Sequence, residues 1–206
     1  SINRQNTYGL ISKLNYDVSD EIEVQFGIDW RTAGIEHARE VRDLLGGDYY
    51  VDYADDNFAD GKKVGLGDII AYHNNTTVDW FGAFVQGQYD TEKINLYGMG
   101  GISTIGYTYQ DHFSVDKEVV EADNITTFQV KGGGRYNLDD RLSAFANVGY
   151  VQKPPILDNV IDYDGNVSTN PDNEKFTSLE IGGEYGSDLV AIKGSYYNTQ
   201  WQDRNL

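Results

Sequence analysis

The feature that most constrains this chain is Glu21 to Arg31, which reads EIEVQFGIDWR. Every second residue is apolar: Ile22, Val24, Phe26, Ile28 and Trp30. Between them stand Glu23, Gln25, Gly27 and Asp29. A strand sends successive side chains to opposite faces, so this segment has one oily face and one charged face. A helix would scatter the same residues around its circumference. The rest of the chain must show whether the oily face packs a soluble core or meets lipid around a wet lumen.

The same alternation recurs along the chain. Tyr8 to Val18 precedes the first segment, with a tight turn at Ser19-Asp20. Further strands are expected over Thr76 to Tyr89, Lys93 to Tyr109, Asn124 to Leu138, Arg141 to Gln152, Glu174 to Tyr185 and Asp188 to Trp201. That is about eight strands in four hairpins. Turns at Ser19, Asp90, Asp139 and Gly186 are short, whereas long connections are expected over residues 33–75, 110–123 and 153–173. Each short turn follows a tyrosine at one level: Tyr16, Tyr89, Tyr136 and Tyr185. A ring of amphipathic side chains at one height is what an interfacial girdle requires. Trp30, Tyr107, Tyr109 and Trp201 are the candidates for a second girdle at the other end.

A soluble sandwich has no reason to keep every second connection short. Outer-membrane barrels do, with tight periplasmic turns and long extracellular loops. The negative mean hydropathy does not oppose this, because only alternate residues would face lipid. No apolar run is long enough for a membrane-crossing helix. The chain lacks cysteine, which removes disulfides and thiolate metal sites. Its formal charge of −17 argues against nucleic acid as a partner. The expected fold is all-β: an antiparallel transmembrane β-barrel segment over residues 1–206. Two alternatives stay open: a soluble extracellular β-sandwich binding module, and a small complete structural outer-membrane barrel.

Several stretches also resemble the barrel of a TonB-dependent outer-membrane receptor of the Bacteroidetes type. They are Glu40 to Asn57, Asn147 to Tyr150 with Lys153-Pro154-Pro155, Asn170 to Lys175, and Trp201 to Arg204. The resemblance implies an internal fragment of a barrel of about 22 strands, with the plug domain and remaining strands outside this stretch. It implies the bacterial outer membrane, contact with its lipid, and ligand uptake energised by the TonB complex through the plug. It leaves room for a surface lipoprotein partner.

In that frame, Glu23, Gln25, Asp29, Arg31, Gln129, Lys131, Arg135, Glu180 and Glu184 are expected to face the lumen. Tyr49, Tyr50, Asp52, Tyr53, Asp55 and Asp56 in the first long connection are the candidate ligand-binding residues. With Asp48 and Asp60 they form an acidic cluster whose oxygens suit Ca²⁺, although the spacing is not that of an EF-hand. A solvated acidic loop is the simpler reading, and neither a cofactor nor a resident metal is expected. His37, His73 and His112 fall in or beside the long connections, where a shared metal or proton-linked site competes with plain loop residues. Gly132-Gly133-Gly134 lies within a strand pattern, not before a helix, so it is no phosphate loop. Ser103 and His112 complete no nucleophilic set, and no enzyme is expected.

Overall fold

The computed structural model describes residues 1–116 and 118–204. Eight long strands form one antiparallel sheet: β1 (Ile2–Asp17), β2 (Ile22–Glu40), β5 (Ile69–Asp90), β6 (Ile94–Asp111), β8 (Ile125–Asn137), β9 (Leu142–Lys153), β10 (Glu174–Gly186) and β11 (Ala191–Gln202). They neighbour one another in that order. The short β7 (Val119–Glu121) adds to β6, while β3 (Tyr50–Asp52) and β4 (Lys62–Val64) make a separate small hairpin. Among the described residues β1 pairs only with β2, and β11 only with β10, so the sheet is not closed.

The four hairpins lie where the alternation puts them. Their short turns are fastened by their own side chains. The Asp139 carboxylate accepts from the Arg141 and Leu142 amides, both at 2.8 Å. Thr91 Oγ1 accepts from the Ile94 amide at 2.9 Å, and Ser187 Oγ accepts from that of Val190 at 3.2 Å. Such local bonds hold a chain reversal without help from packing.

The first long connection is shorter than its sequence suggests. β2 runs on to Glu40 and β5 begins at Ile69, so only residues 41–68 leave the sheet. The extra length carries no regular apolar alternation, so periodicity alone does not show it. Backbone pairing from Ala33 with Val78 up to Ala38 with His73 carries the strands on. The register then slips between Ala38 and Arg39. Opposite the slip Ala71 adopts φ of 67°, and its amide donates to the buried Asp52 carboxylate at 3.2 Å.

The pairing sorts the side chains into two faces. Leu14, Phe26, Val85, Gly100 and Val130 are direct neighbours across five strands and share the apolar face. Tyr16, Tyr89, Tyr136 and Tyr185 lie on that face near the short turns. The face is not covered: Leu14 is 65% exposed, Phe26 49% and Val130 55%. The principal buried apolar cluster is elsewhere. It lies on the opposite face at the long-connection end, where Ile105, Tyr107 and Tyr109 of β6 meet Ala122, Val160 and Ile161.

Candidate functional site

The polar face and the connections that fold over one end of it make the candidate site. Register places Glu23, Gln25, Asp29, Arg31, Gln129, Lys131, Arg135, Glu180 and Glu184 together on this face. Arg31 grips Asp29 with two nitrogens, at 2.9 and 2.7 Å. Glu180 accepts from Asn147 Nδ2 at 3.0 Å, whose own oxygen accepts from the Tyr97 hydroxyl at 3.2 Å. Glu184 is shared by Arg135 at 2.9 Å and Lys193 at 2.8 Å. A face this rich in paired charges suits contact with water or with a polar occupant.

Aromatic residues interrupt the polar face by a rule that alternation does not reveal. Phe84 stands directly between Gly27 and Gly101, Tyr97 faces Gly133, and Phe145 faces Gly182. A Cβ at Gly27 or Gly182 would collide with the neighbouring ring. Each ring therefore occupies the space the facing glycine leaves, as aromatic rescue of strand glycines describes. The cue in the sequence is a glycine at a polar-face position. It becomes readable only once the register is known.

At the long-connection end the polar face is capped. The Tyr107 hydroxyl donates to the Pro155 carbonyl at 2.9 Å, and that of Tyr109 donates to the Tyr163 carbonyl at 3.3 Å. Residues 154–173 are held down in this way on β6, with Val160 and Ile161 in the buried cluster. This corrects the expected second girdle. Tyr107 and Tyr109 are 6% and 7% exposed on the polar-face side, under the cap. Trp201 stacks on Phe176 at 5.0 Å and donates to Glu174 at 3.1 Å, also on that side. Trp30 alone of the four takes the apolar face. Tyr107, Tyr109 and Trp201 have the parity of the polar face on their strands, whereas Trp30 has that of the apolar face.

The first long connection presents its candidates unevenly. Tyr49, Tyr50, Tyr53 and Asp56 are exposed. Asp52 and Asp55 are 4% and 5% exposed and serve the connection itself. Asp55 accepts from the Asn57 side chain at 2.7 Å and amide at 3.1 Å, with Lys62 at 3.6 Å. Burial pushes its carboxyl upward, but those bonds and the Lys62 charge outweigh burial, and its pKa lies below the usual value. Among the described residues no three acidic or histidine side chains converge as a metal site. Asp162 closes a turn by accepting from the Asp164 and Asn166 amides at 3.0 and 2.8 Å.

Two of the three histidines meet. The His73 and His112 rings lie 4.4 Å apart, tilted by 41°, and His73 Nε2 lies 3.2 Å from Glu36. His37 pairs with Asn74 in the register, which turns it to the other face from His73. The first and second long connections are tied nearby, where the Asp56 amide and Asn57 Nδ2 donate to the Phe113 carbonyl at 3.0 and 3.2 Å.

An open antiparallel sheet with one bare apolar face, one charged face, short turns at one end and folded connections at the other is the wall of a transmembrane barrel. The comparisons place it further. The family model for the TonB-dependent receptor-like β-barrel matches residues 1–204. The chain belongs to that family, whose members sit in the bacterial outer membrane. Among solved structures it is similar to the ferric yersiniabactin uptake receptor FyuA from Yersinia pestis, at 14% identity and TM-score 0.60 over 99% of this chain. It is also similar to the copper transporter OprC, at 18% identity and TM-score 0.61 over 94% of this chain. The chain spans 30% and 29% of those two proteins, so its open sheet is part of a barrel in their fold. No curated protein matches it.

Proposed function

We propose that this chain is part of the wall of an outer-membrane receptor that imports a ligand, with energy delivered through TonB. The observation that carries the reading is the two-faced sheet itself. Phe26, Val85 and Val130 stand exposed on one face at one level, which water would penalise and lipid welcomes. On this reading the apolar face meets lipid and the polar face lines the lumen. Glu23, Gln25, Asp29, Arg31, Gln129, Lys131, Arg135, Glu180 and Glu184 are then lumen residues.

The short-turn end faces the periplasm and the long-connection end faces outward. Tyr49, Tyr50, Tyr53 and Asp56 are the exposed groups of the first connection that meet ligand from outside. Asp52 and Asp55 shape that connection rather than touch ligand. The work is transport, not covalent chemistry on the ligand. Family members differ in what they carry, and specificity rests on connections and lumen rather than on the fold.

Fractionation of the full-length protein, with its mobility on a denaturing gel before and after heating, tests the reading. Recovery in the outer membrane with a heat-dependent shift is expected. A product freely soluble without detergent overturns it.

A further inference from the structure

The paired histidines have no part in transport as described so far. By register, His73 of β5 lies on the side of the sheet that carries the apolar face, far beyond Trp30, with Glu36 of β2 and Arg4 of β1. His112 follows the end of β6, and its amide donates to the His73 carbonyl at 2.8 Å. The two rings are 4.4 Å apart. The partner of His73 Nε2 at 3.2 Å is the Glu36 carboxylate, so this nitrogen carries the hydrogen and Nδ1 is left to take an added proton. Glu36 also accepts from Arg4 at 3.0 Å. Next along the chain stands Phe113, buried, with its ring edge-on to His73 at 6.3 Å. Its carbonyl is the acceptor that holds the Asp56 amide and Asn57 Nδ2, at 3.0 and 3.2 Å. Residues 112–114 therefore join the histidine pair to the first long connection.

We propose that His73 and His112 form a proton-operated latch, closed while at most one ring is charged and opened when both are, and that its opening releases Asp56 from the second long connection. Imidazoles are the side chains that ordinarily change charge between about pH 5 and 8. A first proton fits the closed geometry, because a charged His73 still faces the Glu36 carboxylate. A second places cation beside cation at the ring separation of 4.4 Å, with Arg4 already on the same carboxylate. The charged groups on the neighbouring segments are engaged or turned to solvent. Asp111 accepts from the Phe113 amide at 2.8 Å, Asp55 is held by Asn57 and Lys62, and Arg39 lies over the Tyr72 ring at 5.3 Å. Asp56, Asp116 and Glu118 are exposed. Rings that repel part by carrying residues 112–114 away from β5, which draws the Phe113 carbonyl off the Asp56 amide. Acid thereby loosens the segment that bears Tyr53 and Asp56. That this governs ligand capture rests on the proposed function.

Hydrogen exchange of the full-length protein in detergent, read as protection factors from about pH 8 to about 5.5, tests the latch. This window lies above the carboxylate range, so Asp55, with its lowered pKa, stays ionised throughout. Protection of the Asp56 and His112 amides is expected to fall about tenfold across it. The Ser168 amide, bonded to the Val160 carbonyl in the cap at 2.8 Å, is the internal control and should hold. His112→Phe keeps a ring against His73 that takes no proton. His73→Gln keeps a donor toward Glu36 that takes none. In both variants the two protections should be independent of pH, whatever their level. A flat wild-type profile, or the same fall in either variant, overturns the proposal. Membrane fractionation of the same preparation reports separately on the barrel reading, so the two failures are distinguishable.

Discussion

The middle of the sheet and the cap at its outer end use the same kinds of residue for opposite purposes. In the middle, Phe26, Val85 and Val130 are neighbours on a face that no described residue covers. At the cap, Ile105, Tyr107, Val160 and Ile161 are buried against one another. The cap is a small soluble-type core, assembled by excluding water. The middle has no core of its own, and on the proposed reading the bilayer receives its apolar surface. Solvent, more than residue type, decides what an apolar side chain does in each region.

The largest effect that can break this contrast is a truncation in the cap. Ile161→Ala should cost the cap about 2–5 kcal/mol, as removal of a buried branched side chain does. Hydrogen exchange should rise across residues 154–173 while the sheet amides stay protected. Equal loosening of sheet and cap would show that they are one cooperative core.

On the lipid side, Phe26→Arg should destabilise the membrane-inserted barrel by about 2–4 kcal/mol. Gln25→Arg, one residue along and on the polar face, should stay within about 0.5 kcal/mol. Denaturant titration in detergent or lipid measures both, and equal costs would reverse or erase the assignment of faces.

A finer probe is Tyr107→Phe. It leaves the ring in the cap but removes the donor to the Pro155 carbonyl. The expected loss is about 1–3 kcal/mol, for an acceptor left buried and unpaired. It should be read as faster proteolysis of residues 154–173.

The smallest effect is on pH. Asp55 has a depressed pKa, so the stability it lends to residues 41–68 is complete above the ordinary carboxylate range. It is lost as the pH falls through the lowered folded-state value. Asp55→Asn should flatten that acid loosening, followed by proteolysis near Phe58, and should leave the cap unchanged.

Much of the architecture was legible in advance. Alternation over Glu21 to Arg31 and its repeats marked the strands, the tight turns and the apolar face. Tyr16, Tyr89, Tyr136 and Tyr185 were placed on that face because they keep its parity. The strand extensions were not legible, since residues 32–40 and 69–75 carry no regular oily alternation to announce a strand. Nor was the cap. Tyr107 and Tyr109 look like girdle residues by type; their parity puts them on the polar face, and only the tertiary structure lays residues 154–173 over them.

The candidate site divides the same way. Membership of the polar face at Glu23, Arg135 or Glu184 follows from counting by twos. Its use does not. Asp52 and Asp55 read as exposed ligand groups, yet the fold buries them to hold a register slip and a turn. Phe84, Tyr97 and Phe145 broke the pattern until pairing set each against a glycine. Lys193 gained meaning only when the pairing of β10 with β11 brought it to Glu184. Sequence alone settled period and parity, because each strand carries its own two-faced pattern. The tertiary structure decided register, burial and partnership, because these depend on residues far along the chain that meet only across the sheet.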